Sequence, residues 1–163
     1  MKRIYICSLV FTLLFTACSE NSDGTSADIL GLHWYAEEDT VKQAMQNYTM
    51  KNESEEIGVS GDIQTLLEYS GASLYEQPCD VVLCFTSLGL IGINYHDTIG
   101  RYEQWIERIT NVYGEPTELS DFGIASWEND PLGTGTSIYI FDMEYDIQIS
   151  FFVDETGSET ATP

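Results

Sequence analysis

From Ile63 to Tyr95 the chain passes through four β-rich stretches: Ile63 to Tyr69, Ser73 to Glu76, Val81 to Thr86 and Leu88 to Tyr95. No helical interval separates any two of them. Three more follow: Ile124 to Glu128, Ser137 to Phe141 and Ile147 to Val153. Strands spaced this closely must pair with the chain reversing at each step, because a parallel pair needs a crossover of about a dozen residues or more. Only Ser87 stands between Thr86 and Leu88, which predicts a tight hairpin there. The spacing therefore predicts an antiparallel sheet.

Two other segments carry the helical period. Glu37-Glu38-Asp39 places negative charge where a helix N-terminus favours it, and Val41, Ala44, Met45 and Tyr48 then recur on one side. This predicts a helix over 37–49. Tyr102, Trp105, Ile106, Ile109, Val112 and Tyr113 form a second apolar stripe, predicting a helix over 99–113 that stops at Gly114 and Pro116. Met50 to Asp62 is polar and glycine-containing and reads as a loop. The order of helix, strands, helix, strands predicts an α+β domain: an antiparallel β-sheet of about five to six strands with two helices packed on one face. The two halves look like rough copies of a helix followed by strands.

Val112-Tyr113-Gly114-Glu115-Pro116, followed by Trp127 in a strand, resembles the helix, G-x-P and aromatic-strand pattern of small envelope lipoproteins of the SmpA/OmlA group and of the β-lactamase-inhibitor-protein-like fold. The match covers about 40 residues, with a thinner likeness over Gly31 to Tyr48. The Gly-Met-Ser/Thr entry of that pattern is absent. The resemblance implies helices packed on an antiparallel sheet and a role in binding proteins. It carries no functional residue across.

The N-terminus has the layout of an export signal. Lys2 and Arg3 precede an uncharged run from Ile4 to Ala17, too short for a spanning helix of about 20 residues. Leu14-Phe15-Thr16-Ala17-Cys18 resembles the lipobox of bacterial lipoproteins, which implies that Cys18 is fatty-acylated and becomes the first mature residue. Two acyl chains suffice to hold a protein on a bilayer. A plain cleaved signal would release the protein instead. The expected organisation is a lipoprotein signal peptide at 1–17, a flexible tether at 18–28, a single domain at 29–153 and a disordered tail at 154–163. The expected location is the extracytoplasmic face of a cell membrane.

Without residues 1–17, only Lys42, Lys51, Arg101 and Arg108 offset 27 acidic residues, a formal charge of −23. Such a surface repels nucleic acid and anionic lipid and attracts a cationic protein partner. Only the lipid on Cys18 is then expected to engage the membrane.

The chemistry-bearing residues are sparse. His33 and His96 are the two histidines, and His96 sits beside Asp97. Neighbours on a strand point to opposite faces, so that dyad does not form locally. Asp142, Glu144 and Asp146 are spaced like the start of a calcium loop, but Ile147 and Val153 stand where its glycine and glutamate belong. Cys79 and Cys84 flank a strand-like run on opposite faces, about 17 Å apart, which argues against a mutual disulfide. No catalytic residue, metal site or cofactor is expected. Trp34 and Tyr35, at an entry loop, are the expected exposed aromatic contact residues. The expected function is non-catalytic binding of another envelope or extracellular protein. The alternative is a module that binds or processes cell-wall glycan. A single sheet face bearing aromatics would favour binding, and a deep carboxylate-lined pocket would favour processing.

Replacing Cys18 with alanine should move the protein from the membrane fraction to the soluble fraction. A variant that stays with membranes through a high-salt wash would exclude the lipid anchor.

Overall fold

The computed structural model describes residues 29–58, 61–99, 101–128, 130–143 and 145–153. Its eight strands are β1 (Thr49–Ile57), β2 (Ile63–Leu74), β3 (Gln77–Thr86), β4 (Gly89–Asp97), β5 (Glu118–Ser120), β6 (Ile124–Trp127), β7 (Thr136–Asp142) and β8 (Ile147–Val153). A helix α1 (Glu38–Ala44), continued by a 3-10 turn at Met45–Asn47, precedes the first four strands. A second helix, α2 (Tyr102–Tyr113), precedes the last four. All strands join one antiparallel sheet in the order β1-β2-β3-β4-β8-β7-β6-β5.

The register aligns the core in two rows. Leu67, Leu83, Ile93, Phe151, Ile138 and Trp127 are successive cross-strand partners from β2 to β6. Tyr69, Val81, Tyr95, Ile149, Ile140 and Ala125 form the next row. Each of these twelve side chains is at most 2 % exposed. Period-two alternation places them all on one face. Val41 of α1 and Trp105 and Ile109 of α2 join the same cluster, as do Leu32 and Trp34 from the N-terminal segment.

The sequence-based fold class is corrected here. The sheet has eight strands, not five to six, and the architecture is mostly β rather than an α+β layer of two helices packed on one face. The helices have 7 and 12 residues, shorter than the ranges read from periodicity. The main source of the miscount is Met50 to Asp62, which forms β1 and its turn. Eight of the nine β1 residues are exposed and one is half-buried, so no apolar face existed to reveal the strand. The three-residue β5 was missed for a similar reason. Ile63 to Glu76 was split at Gly71, whereas β2 runs through it; Gly71 has φ +85° and lies in the irregularity between Tyr69 and Ala72. Cys18 and the segments expected to be signal peptide, tether and tail lie outside the described residues.

Two glycines are required by close approach. At Gly89, with φ +101°, an added Cβ would run into the carbonyl of Tyr35. At Gly92 it would meet the Phe152 ring at 2.6 Å.

Truncating Ile149 to alanine should cost about 2–5 kcal/mol in denaturant unfolding, because it opens a cavity in the central row. Leu119, the row's 60 %-exposed outlier at the sheet margin, should tolerate alanine within about 0.5 kcal/mol. Equal losses at the two sites would contradict a core concentrated at the centre of the sheet.

Candidate functional site

The other face of the sheet carries three rows of its own. Ser126, Tyr139, Ser150, Asn94, Val82 and Glu68 are successive partners from β6 to β2. Ser137, Phe152, Gly92, Cys84 and Leu66 form the second row. Ile124, Phe141, Gln148, His96 and Asp80 form the third. Leu66, Val82, Tyr139, Phe141 and Phe152 are all half-buried, and Ile124 is 39 % exposed. The rings of Tyr139 and Phe141 are stacked, with centroids 6.0 Å apart and planes at 16°. Phe152 lies across Gly92, where the missing side chain leaves room for the ring.

Polar groups are set among these apolar side chains. Ser150 is fully buried, and its Oγ accepts the Gln148 amide at 2.9 Å. Asn94 donates through Nδ2 to Cys84 Sγ at 3.2 Å, while its Oδ1 has no hydrogen-bond partner. Ser126 Oγ, in the same row, is also unpartnered. A buried polar atom without a partner carries a desolvation cost, which these two atoms share with the hydroxyls of Tyr69, Tyr95, Tyr102 and Thr110 elsewhere in the molecule.

Carboxylates form the margin. Glu128 accepts a hydrogen bond from the Tyr139 hydroxyl at 3.4 Å, and Glu118 stands opposite Ser126. Asp146 Oδ2 lies 2.7 Å from His96 Nδ1. Toward β1, Lys51 bridges Glu68 at 2.8 Å and Asp80 at 2.9 Å. Hydrogen bonds to Glu68 and then to Asp80 hold its ammonium above the usual lysine range. One of the chain's few cations is thereby neutralised within the face.

The residues singled out from sequence are placed differently from one another. Trp34 is 3 % exposed and donates through Nε1 to Thr136 Oγ1 at 2.9 Å, so it is a core residue and not an exposed contact. Its neighbour Tyr35 is half-buried at positive φ, its N–H bonded to the Leu90 carbonyl at 2.8 Å. Neither belongs to this outer face. His33 is exposed. His96 points outward to Asp146, while Asp97 points inward and accepts Trp105 Nε1 at 2.8 Å, so the sequence neighbours do part. Asp146, from the calcium-like run, is thus engaged by a histidine. Among the described residues no group of three or more histidine, cysteine or acidic side chains is placed to hold a metal.

The face itself was missed, although a signal existed. Ser137-Ile-Tyr-Ile-Phe141 is apolar at every position after the first, so both faces of this strand carry apolar side chains. The same holds for the alternation around Val82 and Phe152.

Among the described residues, Cys79 and Cys84 are free and 6 % exposed. Cys79 lies on the core face and its thiol donates to the Gln77 carbonyl at 3.3 Å, while Cys84 lies under the outer face. Burial pushes each thiol up to about 11 from 9.0, which makes both weak nucleophiles at neutral pH. Comparison with family models, curated proteins and solved structures found no match to this chain.

The raised thiol values carry a pH dependence. A neutral acid with a higher folded than unfolded value stabilises the fold below the unfolded value and loses that contribution as pH rises through the folded one. The window is pH 9 to about 11. Unfolding free energy should fall across it, and Cys84→Ala should show a shallower fall than the parent in parallel denaturant titrations. Identical slopes would show that burial of Cys84 does not raise its thiol.

Proposed function

We propose that this protein is a lipid-anchored, extracytoplasmic binding protein, not itself catalytic, whose outer sheet face engages a positively charged envelope or extracellular protein. The observation that carries the reading is the composition of that face: Leu66, Val82, Tyr139, Phe141 and Phe152 at the centre and Glu68, Asp80, Glu118, Glu128 and Asp146 at the margin. Protein interfaces combine a centre enriched in aromatic residues with a polar rim. A chain with 27 acidic residues steers cationic surfaces toward itself over about 10 Å at 0.1 M salt. The lipobox at Cys18 supports the anchor. No helix among the described residues is long and apolar enough to cross a membrane; in this proposal the lipid alone provides attachment.

One observation favours a second reading. The stacked pair Tyr139 and Phe141 presents adjacent rings on an open strand face, a surface on which a sugar of the cell wall can stack.

The two readings separate in one experiment. The full lipidated chain and its Tyr139→Ala/Phe141→Ala variant are cross-linked in their own membrane and purified. A partner held by the parent should bind the variant about 30-fold more weakly, the effect of one interface hot spot. Its association with the parent should slow as salt rises. A partner held equally by both proteins sinks the face as the binding site. Cell-wall oligosaccharides that perturb Tyr139 and Phe141, with no protein captured, would establish the second reading instead.

A further inference from the structure

The two edges of the sheet are unequal. β5 has three residues, whereas β1 has nine and lies at the opposite margin with β2 as its one neighbour. An outermost strand leaves half of its backbone N–H and C=O groups pointing away from the sheet, in position to pair with another strand. Among the described residues no strand pairs with that side of β1.

The side chains of β1 define what can add there. Lys51 is engaged by Glu68 and Asp80 across the sheet, and Lys42 is shared between Glu38 at 2.7 Å and Glu53 at 3.0 Å. Glu55 and Glu56 have no cationic partner among the described residues. At the end of the strand Ile57 is 79 % exposed and pairs in register with Ile63, itself 66 % exposed. Ile63 also borders a shallow depression with Leu88, 43 % exposed. The edge is therefore a hydrogen-bonding backbone with unneutralised acids along it and an apolar ledge at one end.

We infer that β1 is a docking edge for an extended, basic segment of a partner protein, which adds as a ninth strand and sets an apolar residue against Ile57 and Ile63. Backbone pairing supplies binding that does not depend on sequence, and the alternate side chains supply selection. Charge selects the occupant. A second copy of this chain, pairing antiparallel about Ser54, would set Glu53 opposite Glu55, and like charges directly opposite are unfavourable. A lysine- or arginine-bearing strand meets the same positions with opposite charge. The inference rests on the reading of this protein as a binder of cationic proteins. It adds the edge as a contact distinct from the aromatic face.

The test uses the purified full chain and a synthetic heptapeptide of lysine alternating with valine, ending in isoleucine. Three companions are needed: a glutamate-for-lysine twin, and two copies N-methylated at the odd or the even residues. Titration is followed by backbone amide resonances and by hydrogen exchange. The lysine peptide should shift and protect amides within Thr49–Ile57, and the glutamate twin should not. Only one set of peptide amides can face β1, so one methylated copy should bind like the parent and the other more than about tenfold weaker. Glu55→Lys/Glu56→Lys should lose the lysine peptide while keeping the resonances of the core rows. Equal binding of both methylated copies would reduce the contact to diffuse charge attraction and overturn the proposal. So would shifts confined to Tyr139 and Phe141, or β1-mediated dimers in sedimentation. Because the aromatic-face variant leaves β1 untouched, failure here is distinguishable from failure of the face.

Discussion

Everything in the sheet depends on the ladder between β4 and β8. It is the one place where the two halves of the chain are hydrogen-bonded strand to strand, through six register pairs from Gly92 with Phe152 to Asp97 with Ile147. On either side lies a meander that hairpins alone can build. Without this ladder β4 and β8, whose core-facing residues are nearly all buried, would each become an exposed edge. The ladder also makes the rows continuous. Ile93 and Phe151 meet across it in one row, and Tyr95 and Ile149 in the other. The same pairs fix the register of the outer rows, because a slip of one residue would exchange the faces. The half-buried rings of Tyr139, Phe141 and Phe152 are where they are because Ile138, Ile140 and Phe151 are claimed by the core.

Three tryptophans fasten the remaining elements to that sheet, each by burying its ring and giving its N–H to one acceptor. Trp34 joins the N-terminal segment to Thr136 of β7. Trp105 joins α2 to Asp97 at the end of β4, and Arg108 lies over its ring at 5.7 Å. Trp127 of β6 reaches back to the Gly114 carbonyl, just beyond α2. An indole left without an acceptor would be costly in such positions. The arrangement explains why the domain holds three tryptophans and buries all of them. It also explains why Trp34, at an entry segment with little secondary structure, is not a surface residue.

What the sequence disclosed follows from where burial leaves a pattern. The Trp105 and Ile109 stripe, the Gly114 stop, and the strands at Ile124, Ser137 and Ile147 were readable because one face of each is buried and the other is not. β1 was unreadable because neither of its faces is buried, so charge and polarity dominated TMKNESEEI. β2 was broken by Gly71, whose conformation belongs to a strand irregularity and not to a turn. The outer face went unrecognised for the opposite reason. Strands that are apolar on both sides look like deeply buried ones, and only the register shows which residues remain at the surface. The Trp34 environment was beyond reach, since its partner Thr136 is distant in sequence.

The N-terminal segment also governs how this molecule bears force. Tyr35 and Ala36 form a two-bond clip with Leu90, through Tyr35 N–H to the Leu90 carbonyl and Leu90 N–H to the Ala36 carbonyl. Trp34 is held at the same time by β7. A pull on residue 29 therefore loads a strand of each half together, and it does so at the interior of the sheet. The two edges are bypassed, so strands cannot be peeled away one after another from β1. Tension must first draw Ile29 and Leu32 from the core, then shear a buried indole out of its socket and open the clip at Leu90. Until both give way, the domain responds as a single mechanical body, with its open face and long edge undisturbed.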